Sequence, residues 1–240
     1  MTTAGVVAAL AAEARVLEPM RRGEDGCSVR TDGTLVLVSG MGGEAARAAA
    51  ERLVHAGAGA LVSWGLAGGL DPALEAGAVL LPAEVIDVRG ARFATARHWR
   101  EALAAVLEVH APVASGSLLT CLTPLESVDA KSAAFRNTGA SAVDMESSAV
   151  AEVATLHGVP FIVVRAIIDT ARDAVPPAVA GATVAGLLKP HRLILGLMRS
   201  PGEIVALLRL ARRYRVAMRS LLAIARRGVL SSPPLAKTSA

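Results

Sequence analysis

The chain has 240 residues, of which 53% are hydrophobic and only 2% aromatic, enough to bury one substantial core and unlike a disordered polymer. Its two cysteines, Cys27 and Cys121, lie far apart, and His55, His98, His110, His157 and His191 occur singly, so neither a disulfide framework nor a metal site is expected. The formal net charge of +4 is segregated: from Lys189 onward eleven Lys and Arg face the single acid Glu203, a net +10 that leaves −6 for the remainder, and such a basic end suits an anionic surface.

The first stretch, MTTAGVVAALAAEARVLEPM, has no basic n-region and meets Glu13 and Arg15 early. It does not read as a secretory leader, and a cytoplasmic location is expected. Apolar runs at 5–10, 34–40, 60–66, 78–86, 114–121, 140–145 and 160–168 predict strands. Apolar residues at helical spacing predict helices at 44–57, 98–110 and 146–158, with glycine stops after the first and third. This alternation predicts an α/β fold, a largely buried sheet with helices on both faces. Residues 174–188 are uncharged but hold two prolines and two glycines, too short and broken for a membrane span. In 203–227, Leu207, Leu210, Tyr214, Ala217, Leu221 and Ile224 fall on one helical face and arginines from Arg209 to Arg227 on the other. Two readings compete for that pattern: a helix lying in a membrane interface, or a terminal helix docked on protein with its arginines in water. Nucleic acid is not expected, since no aromatic residue interleaves with the arginines. The domain reading is therefore a catalytic domain at 1–188, a basic helical extension at 189–230 and a disordered tail at 231–240.

Three acids stand at the ends of predicted strands: Glu13, Glu146 and Asp169. Strand carboxyl ends are where open α/β sheets bind ligands, although acids there also cap the helices that follow. The glycine turns SGMGGEAA (39–46) and WGLAGGLDP (64–72) each follow a strand and can bring backbone N–H groups close to a ligand. Neither fits the dinucleotide fingerprint or the P-loop, and no cofactor is expected.

Together VDMESSAVAEVA, FIVVRAIIDTARD, SWGLAGGLDPALEAGAVLLP, VSGMGGEAARAAA and GVVAALAAEARVL resemble the nucleoside phosphorylase/nucleosidase superfamily, above all its methylthioadenosine/S-adenosylhomocysteine nucleosidase branch. The resemblance implies a three-layer αβα sandwich around a mixed sheet and cleavage of a purine N-glycosidic bond. It implies that Asp169 is the acid at purine N7 and that Glu146 binds the ribose hydroxyls with Met145 beneath the sugar. Glu13 would be the base for the attacking water. Arg165 and Gly42 would lie near the nucleophile, and Gly68, Leu119 and Thr120 in the base pocket. Asp144 receives no role. The sequence departs from the family pattern at Leu66, where a small hydroxyl residue usually precedes AGG, at Ile168, where serine is common, and at Leu119, near a usual aromatic position.

A carboxylate at Glu13 suits water better than a phosphate dianion, so hydrolysis is expected, with phosphorolysis as the alternative. Within the superfamily the chain most resembles the hopanoid-associated phosphorylase group, which implies release of adenine from adenosylhopane, a lipid-linked nucleoside, to give ribosylhopane. A small-nucleoside hydrolase and a non-catalytic nucleoside-binding module remain alternatives. The resemblance also implies a homo-oligomer, a dimer or larger, and on the membrane reading of 203–227 the basic tail meets the inner face of the cytoplasmic membrane, whereas on the other reading it packs on protein.

Overall fold

Alternate residues of the central strands feed two different cores. In β1 (Ala4–Ala8), Val7 joins one apolar cluster while Val6 and Ala8 join the other. In β12 (Phe161–Asp169), Val163 and Ile167 take the first side and Ile162, Val164 and Ala166 the second. Successive strand side chains point to opposite faces, so a sheet covered on both sides needs unbroken apolar runs. The computed structural model describes residues 2–23, 26–108, 113–175, 183–184, 187–188, 203–227 and 230.

After β1 come α1 (Ala11–Arg15), β2 (Met20–Arg22), β3 (Ser28–Arg30), β4 (Leu35–Val38), α2 (Gly43–His55) and β5 (Ala60–Gly69). The middle of the chain holds β6 (Val79–Leu80), β7 (Glu84–Ile86), β8 (Arg92–Ala94), α3 (Arg97–Glu108), β9 (Val113–Ala114), β10 (Ser117–Thr120) and α4 (Val128–Thr138). Then follow β11 (Ala142–Asp144), α5 (Ser147–Leu156), β12, the separate antiparallel pair β13 (Thr183–Val184) and β14 (Leu187–Leu188), and α6 (Glu203–Ala225).

The main sheet runs β2-β3-β4-β1-β5-β11-β10-β7-β8, with β12 also on β5 and β6 beyond it. Strand β5 is the hub. Its first part lies parallel to β1 and β12, whereas Gly68 and Gly69 pair antiparallel with Val143 and Ala142 of β11. Glycine permits that change of partner: a Cβ on Gly69 would stand 3.1 Å from the Asp169 carbonyl oxygen.

Helices α2 and α5 cover one face, with Ala46, Ala49, Ala50 and Leu53 against Val150, Ala151 and Val153. The absence of a side chain at Gly5 lets α2 come close to β1: a Cβ there would lie 3.1 Å from that of Leu53 and 2.8 Å from that of Ala58, just beyond the helix. The other face is covered by α1, α3 and α6, through Trp99 and Leu103 of α3 and Ala217, Leu221 and Ile224 of α6. The result is the expected αβα layering around a mixed sheet.

The predicted strand at 78–86 is two strands. Pro82 cannot donate to a ladder, and here the chain crosses from β6, paired with β12 and β9, to β7, paired with β10. The run 114–121 divides likewise at Gly116, whose φ is +137°, into β9 and β10. Helix α4 and the strands β2, β3 and β8 lack strong periodicity and were not predicted. Of residues 174–188 only Ala174, Val175 and the β13–β14 pair are described, and 231–240, with His110 and His191, lies outside the described residues.

Candidate active site

The carboxyl ends of β1, β5, β11 and β12 surround a cavity of about 250 Å³. Its wall is largely apolar, with Leu10, Leu66, Val143, Met145 and Ile168 prominent, and Glu13, Asp144, Glu146, Asp169 and Lys131 are its ionisable members. Four acids from three separate stretches of the chain thus converge on one space.

Glu13 is buried in the short helix α1. Its Oε2 accepts the Leu10 N–H at 2.9 Å, and Oε1 accepts the Leu66 N–H at 2.9 Å. The first bond satisfies a free donor at the helix start, so capping and orientation toward the cavity are one arrangement. The second bond uses the Leu66 backbone N–H and so asks nothing of that side chain. Burial pushes the Glu13 pKa up, opposed by the Arg165 charge and by N–H groups of Leu66, Leu10 and Ala9.

Glu146 stands between β11 and α5. Its Oε1 accepts the Gly42 N–H at 2.8 Å and Oε2 the Met145 N–H at 3.3 Å, tying the β4–α2 turn to the end of β11. Burial and then the Asp144 charge raise its pKa, against Arg165.

Asp169 reaches the cavity through a bulge. Ile167 pairs with Ala67 and Asp169 with Gly68, leaving Ile168 as the extra residue, and a bulge of this kind re-aims a side chain. Its carboxylate contacts the Lys131 ammonium, which also donates to the carbonyl oxygens of Thr170 at 3.0 Å and Asp173 at 2.9 Å. Burial raises the Asp169 pKa, and Lys131 is the largest influence in the other direction. Asp173 in turn pairs with Arg213 of α6 at 2.6 Å.

Beneath the cavity lies a buried polar network. Arg165 Nη2 donates to Asp144 Oδ2 at 2.5 Å and to Ser63 Oγ at 2.8 Å, and its Nε donates to Asp144 Oδ2 at 3.1 Å. Asp144 also accepts from Thr120 Oγ1 at 2.8 Å and from the backbone N–H of Ser147 at 3.2 Å. Burial alone would discourage the Arg165 charge, but Asp144, Glu146 and Glu13 outweigh it and hold its pKa above the ordinary value. Gly65 makes room for this packing, since a Cβ there would stand 2.6 Å from both Arg165 Nη1 and Glu13 Oε1.

Of the residues singled out in the sequence, Glu13, Gly68, Met145, Glu146 and Asp169 line the cavity. Arg165 is buried behind it, holding Asp144 rather than facing the open space. Gly42 meets the site through Glu146. Leu119 packs with Leu70, Ile86 and Val143, and Thr120 bonds to Asp144, so the wall expected from these two is formed by Thr123, Pro124 and Leu125. Lys131 was missed, because a single lysine in the weakly periodic KSAAFRNT segment reads as a solvated side chain. Gly65 belongs to the WGLAGGLDP turn, where its sequence context signals only a tight turn. Among the described residues no cluster of His, Cys, Asp or Glu could hold a metal ion.

An open α/β sheet with acids gathered at its strand ends defines a ligand-binding enzyme class rather than a particular protein. The family match narrows it: residues 5–185 match the Phosphorylase superfamily, and the chain belongs to that superfamily. No curated protein sequence matched. Solved structures with the same fold include the 5′-methylthioadenosine/S-adenosylhomocysteine nucleosidase of Neisseria meningitidis in complex with methylthio-immucillin-A, at 21% identity and TM-score 0.66, covering 94% of this chain and 100% of that one. A variant of the Helicobacter pylori enzyme with 5′-methylthioadenosine in its active site is similar at 16% identity and TM-score 0.69, covering 95% and 99%. The futalosine hydrolase of Helicobacter pylori is similar at 18% identity and TM-score 0.64, covering 95% and 98%.

Proposed function

We propose that the protein is a purine nucleosidase that hydrolyses the N-glycosidic bond of a 5′-substituted adenosine. The observation that carries this reading is the convergence of Glu13, Glu146 and Asp169 on one mostly apolar cavity. Asp169, kept protonatable by burial, donates to N7 so that the base leaves neutral, and Glu13 takes a proton from the attacking water. Glu146 binds the ribose hydroxyls and favours the positive charge that develops on the sugar. Hydrolysis is favoured over phosphorolysis because Lys131 is the only cation lining the cavity among the described residues, and it is engaged with Asp169. A phosphate dianion would meet carboxylates there.

For the substrate we propose adenosylhopane, giving ribosylhopane and adenine in hopanoid lipid biosynthesis, with the resemblance to the hopanoid-associated group as the main support. The apolar cavity wall and the exposed Val205 and Leu208 beside the arginines of α6 support it further. Among the described residues no helix is long and apolar enough to cross a membrane, so the contact proposed is peripheral. We also propose a homo-oligomer, consistent with Leu122 left 78% exposed beside the cavity wall.

Adenine release from adenosylhopane and from methylthioadenosine, with and without phosphate, tests these points. Release from adenosylhopane without phosphate is expected, and Glu13→Gln or Asp169→Asn should each lower kcat by about 10²-fold or more. Strict dependence on phosphate with a sugar phosphate as product would replace hydrolysis by phosphorolysis. Unchanged release in both variants would remove these acids from the mechanism.

A further inference from the structure

Asp169 has no hydroxyl on the preceding residue to orient it, since Ile168 stands there. A cation from another element holds it instead. Lys131 lies in the first turn of α4 with its side chain 1% exposed, and a lysine is almost never buried so completely without partners. Its three N–H groups meet three acceptors: Asp169 Oδ2 and the carbonyl oxygens of Thr170 and Asp173. The donor set is therefore filled, and it engages one carboxylate oxygen. The other, Oδ1, is not the oxygen that Lys131 engages, and the Asp169 carboxyl lines the cavity.

We propose that Lys131 is the positioning residue that makes Asp169 an effective proton donor to the departing base. It holds Oδ2, leaves Oδ1 for the purine, and stabilises the carboxylate that remains once the proton has gone. The inference rests on the nucleosidase reading above. In the step, the Asp169 O–H bond breaks and N7–H forms while the C1′–N9 electron pair leaves with neutral adenine. The ribosyl cation then takes hydroxide from water, whose proton goes to Glu13.

The groups facing Asp169 are Lys131 from α4, Asp173 from its own loop and Arg213 from α6. Across the cavity stand Glu13 of α1 with Asp144 and Glu146 at the end of β11, and Arg172 and Arg209 border the adjoining cleft. Only Lys131 is in ion-pair contact with the Asp169 carboxylate among the described residues.

The test uses the full chain and Lys131→Gln, which keeps donors for the two carbonyls without the charge. Lys131→Met serves if the glutamine variant is unstable, and Lys131→Arg restores charge. The high-pH limb of kcat, where Asp169 loses its proton, should move up by about one pH unit or more in Lys131→Gln and return toward wild type in Lys131→Arg. Adenine release should fall about tenfold or more, while p-nitrophenol release from its riboside, which needs no proton donor, should change by less than about twofold. Equal losses on both substrates with an unmoved limb would leave Lys131 a scaffold residue and overturn the proposal. Carbon-13 titration of the Asp169 carboxyl, assigned with Asp169→Asn, needs no substrate. If the wild-type protein releases no adenine, the nucleosidase reading fails and this titration alone decides: an upward shift in Lys131→Gln supports the ion pair's role, and an unmoved carboxyl overturns it.

Discussion

Asp144, to which the family resemblance assigns no role, is the residue that explains the geometry around it. It neutralises Arg165 in the interior, caps the start of α5 through the Ser147 N–H and receives the Thr120 hydroxyl. A buried pair of this kind is weak evidence for net stability, yet breaking it leaves an uncompensated charge. Arg165→Met is therefore expected to cost about 3–5 kcal/mol, measured by denaturant unfolding. Adding Asp144→Asn should recover part of that loss, so that the double variant is less destabilised than the sum of the singles. Strict additivity would mean that the two side chains do not act as a unit. At this scale the sequence disclosed residue types but not their facing. Arg165 and Asp144 are 21 positions apart, and only the pairing of β11 and β12 with β5 turns them toward each other beneath the cavity.

Helix α6 shows how one amphipathic pattern can answer two demands along its length. In its second half Ala217, Leu221, Ile224 and Ala225 are buried against the sheet, while Val205 and Leu208 near its start remain exposed. Ser220 Oγ donates to the Gly77 carbonyl oxygen at 2.7 Å, and Arg213 reaches Asp173 on the loop that follows β12. The docked reading of the sequence thus holds for the second half of the helix. Leu221→Ala should destabilise the protein by about 2–5 kcal/mol through a cavity in the core, whereas Leu208→Ser should stay within about 0.5 kcal/mol; paired thermal melts separate them. Equal effects would contradict the division. Helix α4 was the least legible element, since Ser127 and Gly139 bracket it as caps but its interior is alanine, serine and charged residues, with little apolar periodicity to read.

For the whole molecule, the site carboxyls make stability depend on pH in a direction opposite to the common one. Glu13, Glu146 and Asp169 have raised pKa values, with burial the first cause. Each therefore binds its proton more tightly in the folded state, and its stabilising contribution is lost as pH rises from the ordinary range through the folded value. Asp32, Asp87 and Asp173, with lowered values, act the other way and lose their contribution on acidification. Thermal unfolding of the wild type and Glu146→Gln should show the variant gaining relative stability above the ordinary glutamate value of 4.5. A constant difference across pH would show that Glu146 is not held back from ionising. By itself the sequence determined the layered α/β fold and the three acids at strand ends, because unbroken apolar runs and their punctuation are local and periodic. Only the tertiary structure decided that Arg165 serves Asp144, that Lys131 holds Asp169 and that α6 completes the core, because buried charges choose partners by proximity in space, and proximity across the sheet leaves no periodic trace in the chain.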